Sequence, residues 1–137
     1  MFRFAAAATL ALSCLLATAR AGHANEFEGV RLDFRPGFDL VTDPQSFSGR
    51  QITLPCVFLR ATLEGVRCPV FNLAGDFIGD VGVDVKPLGV EDRRFLLNEC
   101  RQSEYRRRCF AEVTAKVYVG TYDVIILREP TLLWRRD

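Results

Sequence analysis

The chain has 137 residues, with 18 Lys and Arg, 17 Asp and Glu and a single His. This length suits one compact domain, and the nearly balanced charge argues against a basic face for nucleic acid. The only histidine, His23, lies in a predicted cleavage region near the N-terminus. Histidine-based acid–base catalysis and histidine metal sites are therefore nearly excluded.

Residues 1–24 have the three-part layout of a secretory signal peptide, with possible cleavage after Ala21 or Ala24. The apolar stretch is shorter than the roughly 20 residues that span a bilayer. A retained membrane anchor is therefore the weaker alternative, and a lipid anchor at Cys14 is a minor one. Cleavage leaves 16 basic against 17 acidic residues, and no later segment is long and apolar enough to span a membrane. We expect a periplasmic or secreted protein.

Four cysteines remain after cleavage: Cys56, Cys68, Cys100 and Cys109. An even number in an oxidising compartment predicts two disulfides. Three pairings are formally open, and we favour Cys56 with Cys68 and Cys100 with Cys109, because each closes a short local loop. A four-cysteine zinc site is the rival interpretation, but neither pair has the C-x-x-C spacing that zinc knuckles and redox motifs use.

The first half of the mature chain predicts an arm followed by two strands. Residues 25–41, broken by Pro36-Gly37, are expected to be irregular. The segment DPQSFSGR predicts a short helix, and the alternating QITLPCVFLRA predicts a strand with two partly apolar faces. Pro55 removes one backbone donor there, which indicates a bulge or an unpaired edge. VRCPVFN is expected to return as a hairpin in which residue 56 faces residue 68. Three phenylalanines could dock the arm on the domain: Phe27, Phe34 and Phe38.

The second half predicts three further strands and one helix. DVGVDVKPL is the third strand, GVEDRRFLLNEC the helix, and RCFAEVTAKVYVG and YDVIILREPTLLWRR the last two strands. We interpret the arginines of the loop between Cys100 and Cys109 as solvated charges near a helix C-terminus. A positive surface for an anionic partner is the alternative. These arginines are Arg101, Arg106, Arg107 and Arg108.

Three strands, a helix and two strands within about ninety residues follow the element order of the oligonucleotide/oligosaccharide-binding (OB) fold. The chain resembles small exported bacterial OB-fold proteins in its entry segment DPQSFSGRQITLPC, where Gly49-Arg50 joins a Pro-containing helix to the first strand. The resemblance implies, over residues 42–137, an all-β domain with one helix (α+β by content), arranged as a five-stranded Greek-key barrel. A small α+β sandwich is the structural alternative.

OB folds commonly bind ligands across the face of their second and third strands. The binding residues that the resemblance implies here are Val57, Leu59, Arg67, Phe71, Asp80, Asp84 and Lys86. Phe71 is the only aromatic residue among them, whereas proteins that bind single-stranded nucleic acid stack bases on several rings. A nucleic-acid partner is therefore not expected.

The chain has neither a G-x-S-x-G motif nor a phosphate-binding glycine loop, so we assign no catalytic residue, metal ligand or cofactor. We expect a non-catalytic binding or adaptor module of the bacterial cell envelope, whose partner is a protein or a glycan. One alternative is a structural or accessory protein whose binding face is covered by its own arm. The other is a cation-dependent enzyme that uses Asp80 and Asp84.

Overall fold

The computed structural model describes residues 26–27 and 30–135 of the chain. The predicted signal peptide and the Phe27 side chain lie outside these residues. None of the helices in the described ranges has the length and hydropathy needed to cross a membrane. In chain order the elements are β1 (Glu26–Phe27), β2 (Val30–Arg31), α1 (Arg35–Thr42), β3 (Gln51–Val57), β4 (Val66–Phe71), β5 (Phe77–Val83), α2 (Val90–Glu99), β6 (Phe110–Val119) and β7 (Ile125–Trp134).

The predicted order of five strands with a helix after the third is confirmed by β3, β4, β5, α2, β6 and β7. Two expectations are corrected. The domain has a second helix, α1, instead of one helix alone. The third strand begins at Phe77 and ends at Val83, so that Asp84 and Lys86 follow the strand and are not part of it.

Helix α1 replaces the irregular backbone expected for the end of the arm. Pro36 lies in the first turn, where its fixed φ suits a helix and no backbone donor is lost, so it starts the helix instead of breaking it. Asp33 accepts a hydrogen bond of 3.0 Å from the Arg35 amide at the same end. Gly37 faces the sheet, and a Cβ placed there would lie 3.3 Å from a methyl group of Val70. The absent side chain therefore allows α1 to pack closely on the sheet.

The main sheet has the order β3-β6-β7-β5-β4. Strands β5 and β7 are parallel, and the other neighbours are antiparallel. The outer strands are therefore β3 and β4, although they are consecutive in sequence. We call the junction between them the β3–β4 seam.

The predicted hairpin ladder across the β3–β4 seam is wrong. A single bridge joins the strands, in which Leu59 and Arg67 exchange two backbone hydrogen bonds of 2.9 Å. Beyond it, β3 pairs with β6 over its whole length, and β4 pairs with β5. The sheet is thus not closed by a continuous ladder.

Two prolines explain why the ladder stops. In an antiparallel pair, alternate residues direct their backbone groups to opposite sides. The Phe58 amide bonds to Cys109 and the Val117 amide bonds to Arg50, so the even-numbered residues along β3 direct their backbone groups to β6. Pro55 is odd-numbered and is therefore directed to the seam. By the same alternation from Arg67, Pro69 is directed to the seam from β4. Because neither proline has an N–H, donors are missing on both sides. The predicted unpaired edge at Pro55 is confirmed.

Both predicted disulfides are confirmed, Cys56 with Cys68 and Cys100 with Cys109. The first crosses the β3–β4 seam and holds its two Cα atoms 5.3 Å apart. The second ties the end of α2 to the residue before β6. A covalent bond thus takes the place of ladder hydrogen bonds between the two outer strands.

Side chains on both faces of β3 are buried, in two separate hydrophobic clusters. Leu54, Cys56 and Phe58 belong to the main core between the sheet and the helices. On its opposite face, Val57 belongs to a smaller group, which we call the arm cluster. It consists of Leu32, Phe34, Val57, Phe71 and Phe110, with Tyr105 packed against it. The arm therefore covers part of a sheet face that would otherwise be exposed.

Candidate functional site

A groove of about 320 Å³ lies on the outer face of β4 and β5, beside the loop of the second disulfide. Its walls combine two aromatic rings and two apolar side chains with four polar ones. We call it the aromatic groove. It is lined by Leu59, Arg60, Arg67, Pro69, Phe77, Asp80, Ser103 and Tyr105.

Neighbouring strands bring an ion pair into this groove. Arg67 on β4 and Asp80 on β5 lie close together in the β4–β5 ladder. An Arg67 guanidinium nitrogen donates to an Asp80 carboxylate oxygen at 3.3 Å. Both side chains remain accessible to solvent, so the pair contributes little to stability. It can instead present donors and acceptors to a ligand.

The second disulfide loop forms the opposite wall of the groove. Backbone bonds from Arg60 to Gln102 and from Ala61 to Cys100, of 3.1 and 3.0 Å, attach this loop to the end of β3. The Arg60 side chain donates from Nε to the Ser103 hydroxyl at 3.2 Å. Arg60 has a φ of 53°, in the left-handed region that non-glycine residues seldom adopt. The turn thus directs a cationic side chain against the loop.

The two aromatic walls of the groove are linked to one buried ring. The centroid of Phe71 lies 5.8 Å from that of Tyr105 and 6.3 Å from that of Phe77, both in edge-on arrangements. Phe77 is 57% exposed and Tyr105 is half-buried. Burial raises the pKa of the Tyr105 phenol, because the charged form is poorly hydrated there. Tyr105 therefore packs against the arm cluster and also lines the groove.

A second hollow, of about 620 Å³, adjoins the groove at Arg60 and Arg67, which line both. Lys86 and Arg128 add two further cations, and Glu64 and Asp84 add two carboxylates. The Asp84 carboxylate accepts a hydrogen bond of 3.1 Å from the Lys86 amide, so it shapes the turn after β5. The hollow is wide and carries charges of both signs.

The structure brings together five of the seven predicted binding residues. Leu59, Arg67 and Asp80 line the aromatic groove, and Asp84 and Lys86 line the adjoining hollow. Val57 and Phe71 do not form part of an exposed face, because they are 1% and 5% exposed beneath the arm. The expectation that these two side chains lie on the exposed face is corrected on this ground.

Five residues of the groove were missed from the sequence: Arg60, Pro69, Phe77, Ser103 and Tyr105. The glycine-marked segment LAGDFIGD indicated a turn, which hid Phe77 at the start of β5. Ser103 and Tyr105 reach the groove only because the disulfide loop packs on the end of β3. The one sequence signal for them was a tyrosine inside a covalently closed loop.

The arginine-rich loop is exposed, as expected, but one of its arginines is tightly paired. Arg108 donates to a carboxylate oxygen of Glu99, the last residue of α2, at 2.7 Å. Arg101 and Arg106 are exposed. Among residues 26–27 and 30–135, no group of three or more His, Cys, Asp or Glu is placed to hold a metal ion.

Comparison with protein-family models, with curated proteins and with solved structures gives no match for this chain. The assignment of a function therefore rests on the geometry of the groove.

Proposed function

We propose that the protein is an exported, non-catalytic binding or adaptor module of the cell envelope, and that the aromatic groove takes its ligand. The observation that carries this proposal is the groove itself, in which Phe77 and Tyr105 flank a solvent-accessible ion pair. Small-molecule and glycan sites characteristically combine apolar or aromatic walls with a few placed polar groups.

An OB-fold-like arrangement is part of the proposal. Its support is a five-stranded sheet whose outer strands meet at one bridge and one disulfide, since the OB fold is a partly open five-stranded barrel. The groove lies on the second and third strands of that sheet, the face that OB folds use. Export is supported by the two disulfides, which persist in oxidising compartments.

The chemistry of the groove favours a ligand with an apolar or ring-shaped body and an anionic group. The rings offer a surface for stacking, and Arg60 and Arg67 outnumber Asp80 by one charge. An extended peptide that adds a strand to the main sheet is disfavoured, because Pro55 and Pro69 remove donors along the β3–β4 seam, where its outer strands lie. Recognition by side chains suits an acidic envelope glycan or the side chains of a protein partner.

The test compares immobilised mature protein with two variants that change similar exposed side chains on neighbouring segments. Phe77→Asp places a charge in the groove, whereas Leu73→Asp places one outside it, and the two native side chains are 57% and 56% exposed. We expect Phe77→Asp to lose specific glycans or proteins retained from envelope extract, and Leu73→Asp to keep them. Equal retention by all three proteins would contradict the proposal.

A structural or accessory role is the second candidate, and the arm favours it. Leu32 and Phe34 cover Val57 and Phe71, so part of the predicted face is closed by the chain itself. If this role is correct, the wild type and the Phe77→Asp variant retain the same glycans and proteins from envelope extract.

A further inference from the structure

A continuous chain of aromatic contacts connects the N-terminal arm to the groove. The Phe34 ring lies 5.1 Å from the Phe71 ring, centroid to centroid, in a tilted arrangement. Phe71 in turn contacts both walls of the groove, Tyr105 and Phe77. The arm thus reaches the groove through one shared side chain.

Phe71 is tightly packed, so a change at Phe34 should also shift the rings of the groove. Phe34 and Phe71 are 6% and 5% exposed and lie in the same cluster as Val57 and Phe110. Protein interiors are packed to nearly crystalline density, so loss of a ring on one side of Phe71 leaves a void into which neighbouring groups relax. The groove rings, Tyr105 and Phe77, also contact Phe71 and would follow it.

We propose that Phe34 is a positioning residue of the aromatic groove: the docked arm holds Phe71, and Phe71 holds Tyr105 and Phe77 apart as the two walls. This role deepens the proposed binding function and rests on it for its biological meaning. The arm is then a component of the site, not a cover over it. By reciprocity, a ligand between the walls stabilises the docked arm.

The test replaces Phe34 by Ala and by Leu, with Phe38→Ala as the matched control. Phe34→Ala removes the ring, and Phe34→Leu keeps a large apolar side chain in case the first variant folds poorly. Phe38 lies on the same arm, in α1, but is half-buried and belongs neither to the arm cluster nor to the groove. Far-ultraviolet circular dichroism establishes that each variant is folded.

Two measurements at the groove decide the outcome. NMR of protein with ¹³C-labelled tyrosine rings follows the titration of Tyr105 in each variant and in the wild type. Nuclear Overhauser contacts between the Phe71 ring and the rings of Tyr105 and Phe77 report the walls directly. Loss of folding stability alone would change neither measurement in the folded state.

In Phe34→Ala we expect weaker contacts from Phe71 to both rings and a lower pKa of Tyr105, because water reaches the phenol as its wall loosens. Phe34→Leu should show the same changes to a smaller extent, and Phe38→Ala should match the wild type. Unchanged Tyr105 titration and ring contacts in a folded Phe34 variant would overturn the positioning role. If these change as expected while the wild type retains no envelope ligand, the positioning role stands and the proposed binding function falls.

Discussion

Removal of the Cys56–Cys68 disulfide should open the β3–β4 seam locally. Removal of Cys100–Cys109, which closes a loop of similar length, should cost about the same stability but leave the seam closed. The separations are 12 and 9 residues, for which the chain-entropy relation gives about 3 kcal/mol in each case. All four cysteines are fully buried, so replacement of either pair by alanine leaves similar small voids. The entropic and packing costs are therefore closely matched between the two double variants.

The two variants differ at the β3–β4 seam. Without the Cys56–Cys68 bond, the backbone hydrogen bonds that remain between the outer strands are the two of the Leu59–Arg67 bridge, and each contributes about 1 kcal/mol. Local opening of the seam in the folded Cys56→Ala/Cys68→Ala protein therefore costs roughly 2 kcal/mol in hydrogen bonds, whereas the intact disulfide prevents this opening in the other double variant.

Urea unfolding, followed by the fluorescence of the only tryptophan, measures the two stability losses, which should agree at about 3 kcal/mol. Trp134 reports the folded state because it packs on Phe58 and Phe95. Hydrogen exchange at the Leu59 and Arg67 amides should accelerate in the Cys56→Ala/Cys68→Ala protein only. Equal exchange of these amides in both double variants would refute the idea that this disulfide replaces a ladder.

Three further changes test other parts of the fold by thermal or urea unfolding. Gly37→Leu should destabilise by roughly 1 to 3 kcal/mol, because α1 has no room for a side chain against the sheet, whereas Gly79→Leu, which meets open space, should have little effect. A double-mutant cycle on Arg67 and Asp80 should give a coupling of about 0.2 to 1 kcal/mol, as for other exposed pairs, and a larger value would mean that the pair has a structural role. Tyr122→Asn should stabilise the fold by about 0.5 kcal/mol, because Tyr122 is exposed and has a φ of 59° that asparagine tolerates better. A lower melting temperature of this variant would show that the Tyr122 ring makes a stabilising contact.

Local patterns predicted the strands well because each depends on a few neighbouring residues. The alternation in RCFAEVTAKVYVG corresponds to β6, whose inward residues Ala111, Val113 and Val117 are buried. The disulfides followed from the parity and spacing of the cysteines. Proline also carries local information, since Pro55 alone indicates an unpaired edge in β3.

Strand partners could not be predicted in the same way, because pairing depends on where distant elements pack. The short TLEG turn favoured a hairpin, yet β3 forms its ladder with β6, more than fifty residues later in the chain. The sequence predicted only part of the groove for the same reason. Tyr105 and Ser103 reach it through backbone bonds between the disulfide loop and the end of β3, which leave no periodic signal in the sequence.

The division of the sheet face between arm and groove bears on the choice between the two candidate functions. An arm whose only task was to cover apolar surface would be expected to bury the largest exposed ring on that face. Instead, it buries Val57 and Phe71 and leaves Phe77 largely exposed beside the Arg67–Asp80 pair. An exposed ring next to an accessible ion pair adds little to the stability of the folded chain, whereas both can contribute to binding. An arm that positions the walls of the groove must leave the groove itself open, as this arm does. The partial coverage therefore favours a ligand-binding groove over a closed structural face.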